Sequence, residues 1–462
     1  MSAPLTRRTF GASLAGALGL AAGARAQSRP PNILFLMGDN VRGDTLGYMG
    51  HPVVKTPTLD ALARTGVALT HCYSAAGGGN PSRVSALSGR YPRTHGVTTA
   101  DSPLTDTSVL LPAILSKHGY RTGLVGDFEL PGRDMAELFD SSATFSGDYK
   151  AFFEEKFPDR NGDIYALARK VQAQGPVRWR VGGSILSAED HPVGWMANRT
   201  IDFVQAAKEG EPWFCFVSFH DPANSYISPF PWPTRYPPQQ ISIPRLPEER
   251  PKPPTAEDQP SDYVTKGDEA ALIDVRRAYF GGVSYLDEQI GRIVRKLRSL
   301  GQLENTLIVF TSAHGDMLGD QGRMGPEAPY DGAIHTPCTL HYEAGFKISG
   351  GVHRVTDTTC LAPTLLDLAG LPLPEGFQTP SAKQIVTVVG AEWDDAALLD
   401  NRFHALRTAE WKLVEPRDHP TWTPELYHLT DDPAETNNLY GKPEASKAQA
   451  DLAKRLQAWE EA

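Results

Sequence analysis

Cysteine is scarce in this chain of 462 residues: Cys72, Cys215, Cys338 and Cys360 stand far apart, with no Cys-x-x-Cys pair. That spacing gives no zinc-like pattern, and buried free thiols are expected in place of a disulfide framework. Long apolar runs are also missing. A Gly-rich stretch near the start is too short to span a bilayer, and no other stretch approaches the ~18–20 residues required. Positive charge is in deficit, with 45 Lys and Arg against 55 Asp and Glu and a net charge of −10. This argues against a nucleic-acid partner or an anionic-membrane surface, and the acids are spread widely enough to be mostly solvated surface. Biased repeats are absent too. With 40% apolar and 22% charged residues, the composition is globular, and the length is enough for one large and one small domain.

The first 26 residues read as a targeting segment outside the fold. Thr6-Arg7-Arg8-Thr9-Phe10 precedes a mildly apolar stretch from Gly11 to Gly23, and Ala24-Arg25-Ala26 places small residues where a signal peptidase cleaves. Twin arginines before a weak apolar region resemble a twin-arginine translocation signal, which implies a periplasmic or secreted protein.

Beyond it, Asn32-Ile33-Leu34-Phe35-Leu36-Met37 is continuously apolar and stops at Gly38-Asp39-Asn40. Unbroken apolarity suits a central parallel strand covered on both faces. Similar runs occur at Pro212 to Val217 and Thr306 to Phe310. Helices alternate with them: Val283, Leu286, Ile290, Ile293 and Leu297 repeat at helical spacing before Gly301, and shorter helices are expected at Thr58 to Gly66 and Pro81 to Gly89. The order predicts an α/β fold, a mostly parallel sheet sandwiched by helices, over residues 30–384. Short strands at Ala405 to Thr408, Trp411 to Val414 and Glu425 to Leu429, then an amphipathic helix from Leu452 to Trp459, predict a small α+β domain over 385–462. The Pro-rich stretch from Pro229 to Pro260 reads as a long loop rimming a cleft. Sites in such sheets lie beyond the carboxyl ends of the strands, where Asp39-Asn40, His220-Asp221 and Ala313-His314 all fall.

The most informative absence is one side chain. Gly77-Gly78-Gly79-Asn80-Pro81-Ser82-Arg83, continuing through Ser88-Gly89-Arg90 to Thr94-His95-Gly96, resembles the Cys-x-Pro-Ser-Arg signature of the type I sulfatases, within the alkaline-phosphatase-like superfamily. In that family the Cys, or a Ser, becomes formylglycine, whose hydrate attacks sulfur. Here that position is Gly79, which has nothing to oxidise. The likeness extends over most of the chain: His51 to Asp60, similar also to choline-sulfatase-like members; Gly332-Ala333-Ile334; Leu361 to Gly370; and Leu426 to Leu429 with Asp432 to Leu439.

The resemblance implies a calcium site at the end of the first strand and in a late Asp-His or Asp-Asn pair. These positions read Asp39, Asn40, Ala313 and His314, a weak or vestigial set for a hard cation; Asp39 and Asn40 also read as turn formers. The sulfate-binding Lys and His positions become Asp127 and Glu129, a middle His becomes Ala223, and a late Lys aligns with Pro326. Arg83 is retained, either for an anion at the helix start, with Pro81 as a first helical residue, or for folding of the loop. Asp127, Glu129 and His220 are candidate acid/base groups, the two carboxylates lying on one side of a strand; solvated rim residues is the competing reading. Ser74, Ser82 and Ser85 lie near the loop, with no histidine paired to them in the sequence. The expectation is an exported pseudoenzyme that binds a small molecule or carbohydrate. The alternatives are a repurposed hydrolase or lyase using the acidic cleft, and a sulfuric ester hydrolase working without formylglycine.

Overall fold

The computed structural model describes residues 29–160, 168–170, 180–222, 225–248, 263–400, 402–417 and 423–461. Its strands are β1 (Asn32–Gly38), β2 (Val67–Tyr73), β3 (Arg121–Gly126), β4 (Ser141–Thr144), β5 (Ala168–Lys170), β6 (Arg180–Ser184), β7 (Trp213–Ser218), β8 (Ser225–Pro229), β9 (Thr306–Ser312), β10 (His335–Thr336), β11 (Cys338–His341), β12 (Gly350–Asp357), β13 (Ala396–Asp400), β14 (Phe403–Thr408), β15 (Trp411–Pro416) and β16 (Glu425–His428). Nine of them form one sheet in the order β10-β2-β11-β9-β1-β7-β3-β4, with β12 beside β2. Pairings through β9, β1, β7, β3 and β4 are parallel; β11 runs antiparallel to β9 and β2.

The unbroken apolarity of β1 follows from burial on both faces. Leu34 and Leu36 enter one core with Cys215, Val217, Ile308 and Phe310. Ile33, Phe35 and Met37 enter the other with Phe214, Phe216, Leu307 and Val309. Successive side chains of a strand point to opposite faces, so a strand covered twice can spare no polar position. The helix Glu269–Ser299 covers the first face through Val283, Leu286, Ile290, Ile293 and Leu297, and Gly301 just beyond it adopts φ +67°, the left-handed stop that glycine permits. The helices Gly79–Ser88, Leu111–Lys117 and Leu361–Leu368 cover the second face. All four cysteines are free and buried.

The tail forms the antiparallel sheet β13-β14-β15-β16. One face packs Leu406, Leu413 and Leu426 against Leu452 and Leu456 of the helix Ser446–Glu461. The other packs Leu399, Val414 and Tyr427 against Tyr73, Ile334 and Val355 from earlier in the chain. Lys412 on β15 is fully buried, with Nζ 2.6 Å from Asp331 Oδ1, 3.1 Å from Pro329 O, and paired with Glu435. No helix among the described residues is long and apolar enough to cross a membrane.

Two local expectations need correcting. The helix after the glycine run begins at Gly79, so Pro81 is its third residue and not its first. The Pro-rich stretch has more local structure than a plain loop as far as it is described, with 3-10 turns at Trp232–Thr234 and Pro238–Gln240 and buried Trp232 and Tyr236; residues 249–262 lie outside the described ones.

Candidate functional site

The carboxyl ends of β1, β7, β9 and β3 are tied together by the backbone just past each strand. Phe219 N donates to Met37 O at 2.8 Å, Ala313 N to Gly38 O at 2.9 Å, and Asp127 N to Ser218 O at 2.8 Å. Gly126 makes the last of these possible. It adopts φ +104°, and a Cβ there would stand 2.1 Å from Ser218 O. These bonds bring Asp39, Asp127, His220 and His314 to one place although the sequence separates them widely.

Arg83 is the centre of the cluster. Its side chain, buried within the Gly79–Ser88 helix region, donates Nε–H to Ser218 Oγ at 2.9 Å, and Ser218 Oγ donates onward to Asp127 O at 2.7 Å. Nη2 lies 3.5 Å from both Asp39 Oδ2 and Asp127 Oδ2. A Cβ built on Gly79 would be 2.5 Å from Arg83 Nη1. The guanidinium therefore fills the space that a nucleophile's side chain would need, and its charge is taken by two carboxylates of the same cleft.

His220 lies flat on Phe145, with centroids 4.4 Å apart and planes at 16°, and its Nδ1 is 3.3 Å from Asp127 Oδ2. Burial works against both charges, but the bond between them and the adjacent Arg83 hold the Asp127 carboxyl below its ordinary range. The same bond, with Asp221 nearby, outweighs burial and raises His220. Asp221 is pushed up to about 7 by burial, opposed by His220 and assisted by Asp39. His191, whose Nδ1 lies 3.5 Å from Asp221 Oδ2, is driven down to about 3, chiefly by burial.

The three metal candidates divide, with Asp39 and His314 side by side and Asn40 turned to Asp316. His314 Nε2 is 3.2 Å from Asp39 Oδ1, and its Nδ1 faces Gly315 O at 3.1 Å. Asn40, at φ +63°, donates Nδ2–H to Asp316 Oδ2 at 2.9 Å. Asp316 is fully buried and accepts in addition from Tyr226 OH, Leu318 N and Gly325 N. Calcium requires six to eight oxygens. Here Asp39 lies 3.5 Å from Arg83 and 3.2 Å from His314, with its buried Oδ1 left without a hydrogen-bond partner among the described residues. Asn40 is engaged by Asp316, Ala313 brings no carboxylate, and no metal-suited group of three His, Cys, Asp or Glu occurs among the described residues. The residues do not fit the cation that the resemblance implies.

Glu129 is a second correction. It is exposed and accepts from Ser146 Oγ, outside the Arg83 cluster. The alternation rule fails because β3 ends at Gly126: Asp127, Phe128 and Glu129 follow a turn, and buried Phe128 separates the two acids. Ala223 lies outside the described residues. The hydroxyls near the loop hold one histidine that the sequence did not pair, with Ser85 Oγ 3.0 Å from His95 Nε2. This is no activated nucleophile. His95 Nδ1 accepts from Val97 N at 3.1 Å, so the ring proton sits on Nε2 and is donated to the serine; both side chains are also buried. Sequence reasoning missed Ser218, Phe145, His191 and Asp316. Only Asp316, two residues after His314, carried a local signal.

Comparison with known proteins places the whole described fold. The family model described as "Sulfatase" matches residues 31–371, and one described as "N-sulphoglucosamine sulphohydrolase, C-terminal" matches 321–462. An arylsulfatase of Clostridium perfringens (strain 13 / Type A) is 27% identical over 446 residues, covering 90% of this chain and 91% of the relative. A choline-sulfatase of Rhizobium meliloti (strain 1021) is 27% identical over 447 residues, covering 91% and 85%. The crystal structure of a phosphonate monoester hydrolase of Agrobacterium radiobacter superposes with a TM-score of 0.80 at 23% identity, covering 93% of this chain and 95% of that one.

Proposed function

Because this chain belongs to the sulfatase family, we propose that it is an exported member that has lost formylglycine chemistry and serves as a binding protein for a small molecule or carbohydrate. The observation that carries this reading is the Arg83 guanidinium lying 2.5 Å from where a side chain at Gly79 would begin. A vacant nucleophile slot would leave the arginine free for an incoming sulfate ester. In this cleft Asp39 and Asp127 already compensate it, and an anionic sulfate ester would compete with both. The absence of a fitting calcium cage removes a second element that the family chemistry would need.

One observation favours a second reading, acid/base turnover in the same cleft. The Asp127–His220 pair holds an imidazole flat on Phe145 beside a carboxylate, the arrangement of a general base with its orienting group. The two readings separate in one experiment. The protein is co-expressed with a formylglycine-generating enzyme, the Gly79 peptide is weighed by mass spectrometry, and aryl sulfate, phosphate and phosphonate esters and glycosides are assayed alongside a thermal-shift screen of sulfated and neutral sugars. Ligand-dependent stabilisation without turnover supports the binding reading. Turnover abolished by His220→Gln supports the second. Sulfate-ester hydrolysis abolished by Arg83→Ala, with Gly79 unmodified, refutes the first and reveals a sulfuric ester hydrolase that works without formylglycine.

A further inference from the structure

A cavity of about 370 Å³ lies at the junction of two helices, lined by Arg64 from the helix Pro57–Thr65, Arg295 and Arg298 from the helix Glu269–Ser299, and His341 and Glu343 at the end of β11. It is remote from the cleft. His341 pairs with Ile308 near the start of β9, whereas the cleft lies beyond Ser312 at that strand's other end. Among the described residues none of the three guanidinium groups makes a hydrogen bond or ion pair. The acid in the cavity lining is Glu343, whose Oε1 is 3.8 Å from His341 Nε2. The chain as a whole carries −10, yet this hollow holds three arginines against one glutamate.

Cations are favoured in the last turn of a helix, which accounts for Arg64 and Arg298. It does not account for Arg295 one turn earlier. That side chain folds back over Gly291: a Cβ at Gly291 would stand 3.1 Å from Arg295 Nη1 and 2.7 Å from Thr58 Oγ1. The missing side chain at Gly291 thus leaves room both for the close helix crossing and for a guanidinium lying in the cavity wall. We propose that this cavity is a second ligand site, taking a small organic molecule that carries two or more sulfate or phosphate groups. Guanidinium groups bind such oxyanions through paired N–H donors. A tetrahedral group offers oxygens to both helices at once, and a volume in the range of small-molecule pockets admits more than an inorganic ion.

The test is calorimetric titration in low-salt buffer, where surface charges are least screened, with inorganic sulfate, inorganic phosphate, sucrose octasulfate and inositol hexakisphosphate as probes. The expected result is one site for a polyanion, at least ten times tighter than for inorganic sulfate. Whichever of the two polyanions binds more tightly identifies the group. Arg295→Gln/Arg298→Gln should weaken that site at least tenfold, and Arg64→Gln alone should weaken it measurably. Lys447→Gln/Lys454→Gln removes the same net charge from the distant C-terminal helix and should bind as wild type. Failure of the wild type to bind, unchanged binding in the double arginine variant, or equal losses in both double variants overturns the proposal.

Discussion

Replacing Arg83 by methionine keeps much of the side-chain volume and removes the charge that compensates two carboxylates. At 3.5 Å and an effective dielectric near 20, each pair is worth about 5 kcal/mol of gross Coulomb energy. Neither figure survives intact. Burying the guanidinium carries a desolvation cost that the variant recovers, and the Asp127 side chain, 36% exposed, is screened by water. Asp39 retains His314, and Asp127 retains His220. Breaking a buried pair by removing one partner typically costs 3–5 kcal/mol, and a loss of about 3–4 kcal/mol is expected here. In a chain of this size the unfolding entropy is on the order of 0.9 kcal/mol/K, so the melting temperature should fall by only about 4 °C. Urea unfolding followed by tryptophan fluorescence and far-UV circular dichroism is the more sensitive assay, provided the two transitions coincide. In Arg83→Met/Asp39→Asn the loss should be smaller than the sum of the single losses, because the second substitution removes the orphaned charge. A cost below about 1 kcal/mol for Arg83→Met would show that the guanidinium is not held between the acids, and the filled-slot reasoning would fail with it.

Gly79→Cys, co-expressed with a formylglycine-generating enzyme, should remain without appreciable aryl sulfatase activity, since Arg83 Nη1 stands 2.5 Å from the new Cβ and Asp127 and Glu129 stand where the resemblance implies sulfate-binding cations; turnover near that of an ordinary sulfatase would refute this. Calcium should add almost nothing to stability: a millimolar ion with a micromolar Kd would contribute about 4 kcal/mol, so a melting temperature several degrees higher in calcium than in chelator would mean that Asp39, Asn40 and His314 recruit further ligands. Asp221, at about 7 in the fold against 3.8 ordinarily, holds its proton where the unfolded chain has lost it, so its contribution is complete below 3.8 and is lost as pH rises to about 7. His220 is raised, and its contribution likewise fades as pH rises through its folded value. Buried His191, kept neutral in the fold, loses stability as pH falls below 6.5 and works the other way. The Asp221 contribution taken alone should be larger near pH 5 than near pH 8, by about 3 kcal/mol at most. Asp221→Asn should flatten that dependence in urea titrations across the range, and an unchanged slope would remove Asp221 as its source.

The fold was legible because its central strands are apolar at every position and its long helix repeats at helical spacing, signals that need no knowledge of neighbours. The site was half legible. Asp39, Arg83, Asp127, His220 and His314 do meet, because the ends of parallel strands necessarily converge. Glu129 does not join them, since the positive φ at Gly126 ends the strand one residue before the alternation was applied. Asn40 turns to Asp316, 276 residues away, and although Asp316 stands two residues after His314, no local pattern announces that the two pair. The glycine at 79 was plain in the sequence, but what fills its place depends on Ser218, Asp39 and Asp127, which only tertiary structure brings to Arg83.

Lys412 has a consequence for the order in which the molecule can be completed. Its ammonium is the buried partner of Asp331, which precedes the small sheet in the chain, yet it resides on β15 near the end of the chain. During synthesis Asp331 is made early and its cation late, and the apolar surface of Tyr73, Ile334 and Val355 waits for the same strands. A nascent chain stopped before β14 would expose both a carboxylate without its counter-ions Arg407 and Lys412 and an uncovered core face. A ribosome-stalled fragment or a tail deletion is thus expected to be held by chaperones or degraded, and the last strands to emerge act as the closing step for the whole molecule.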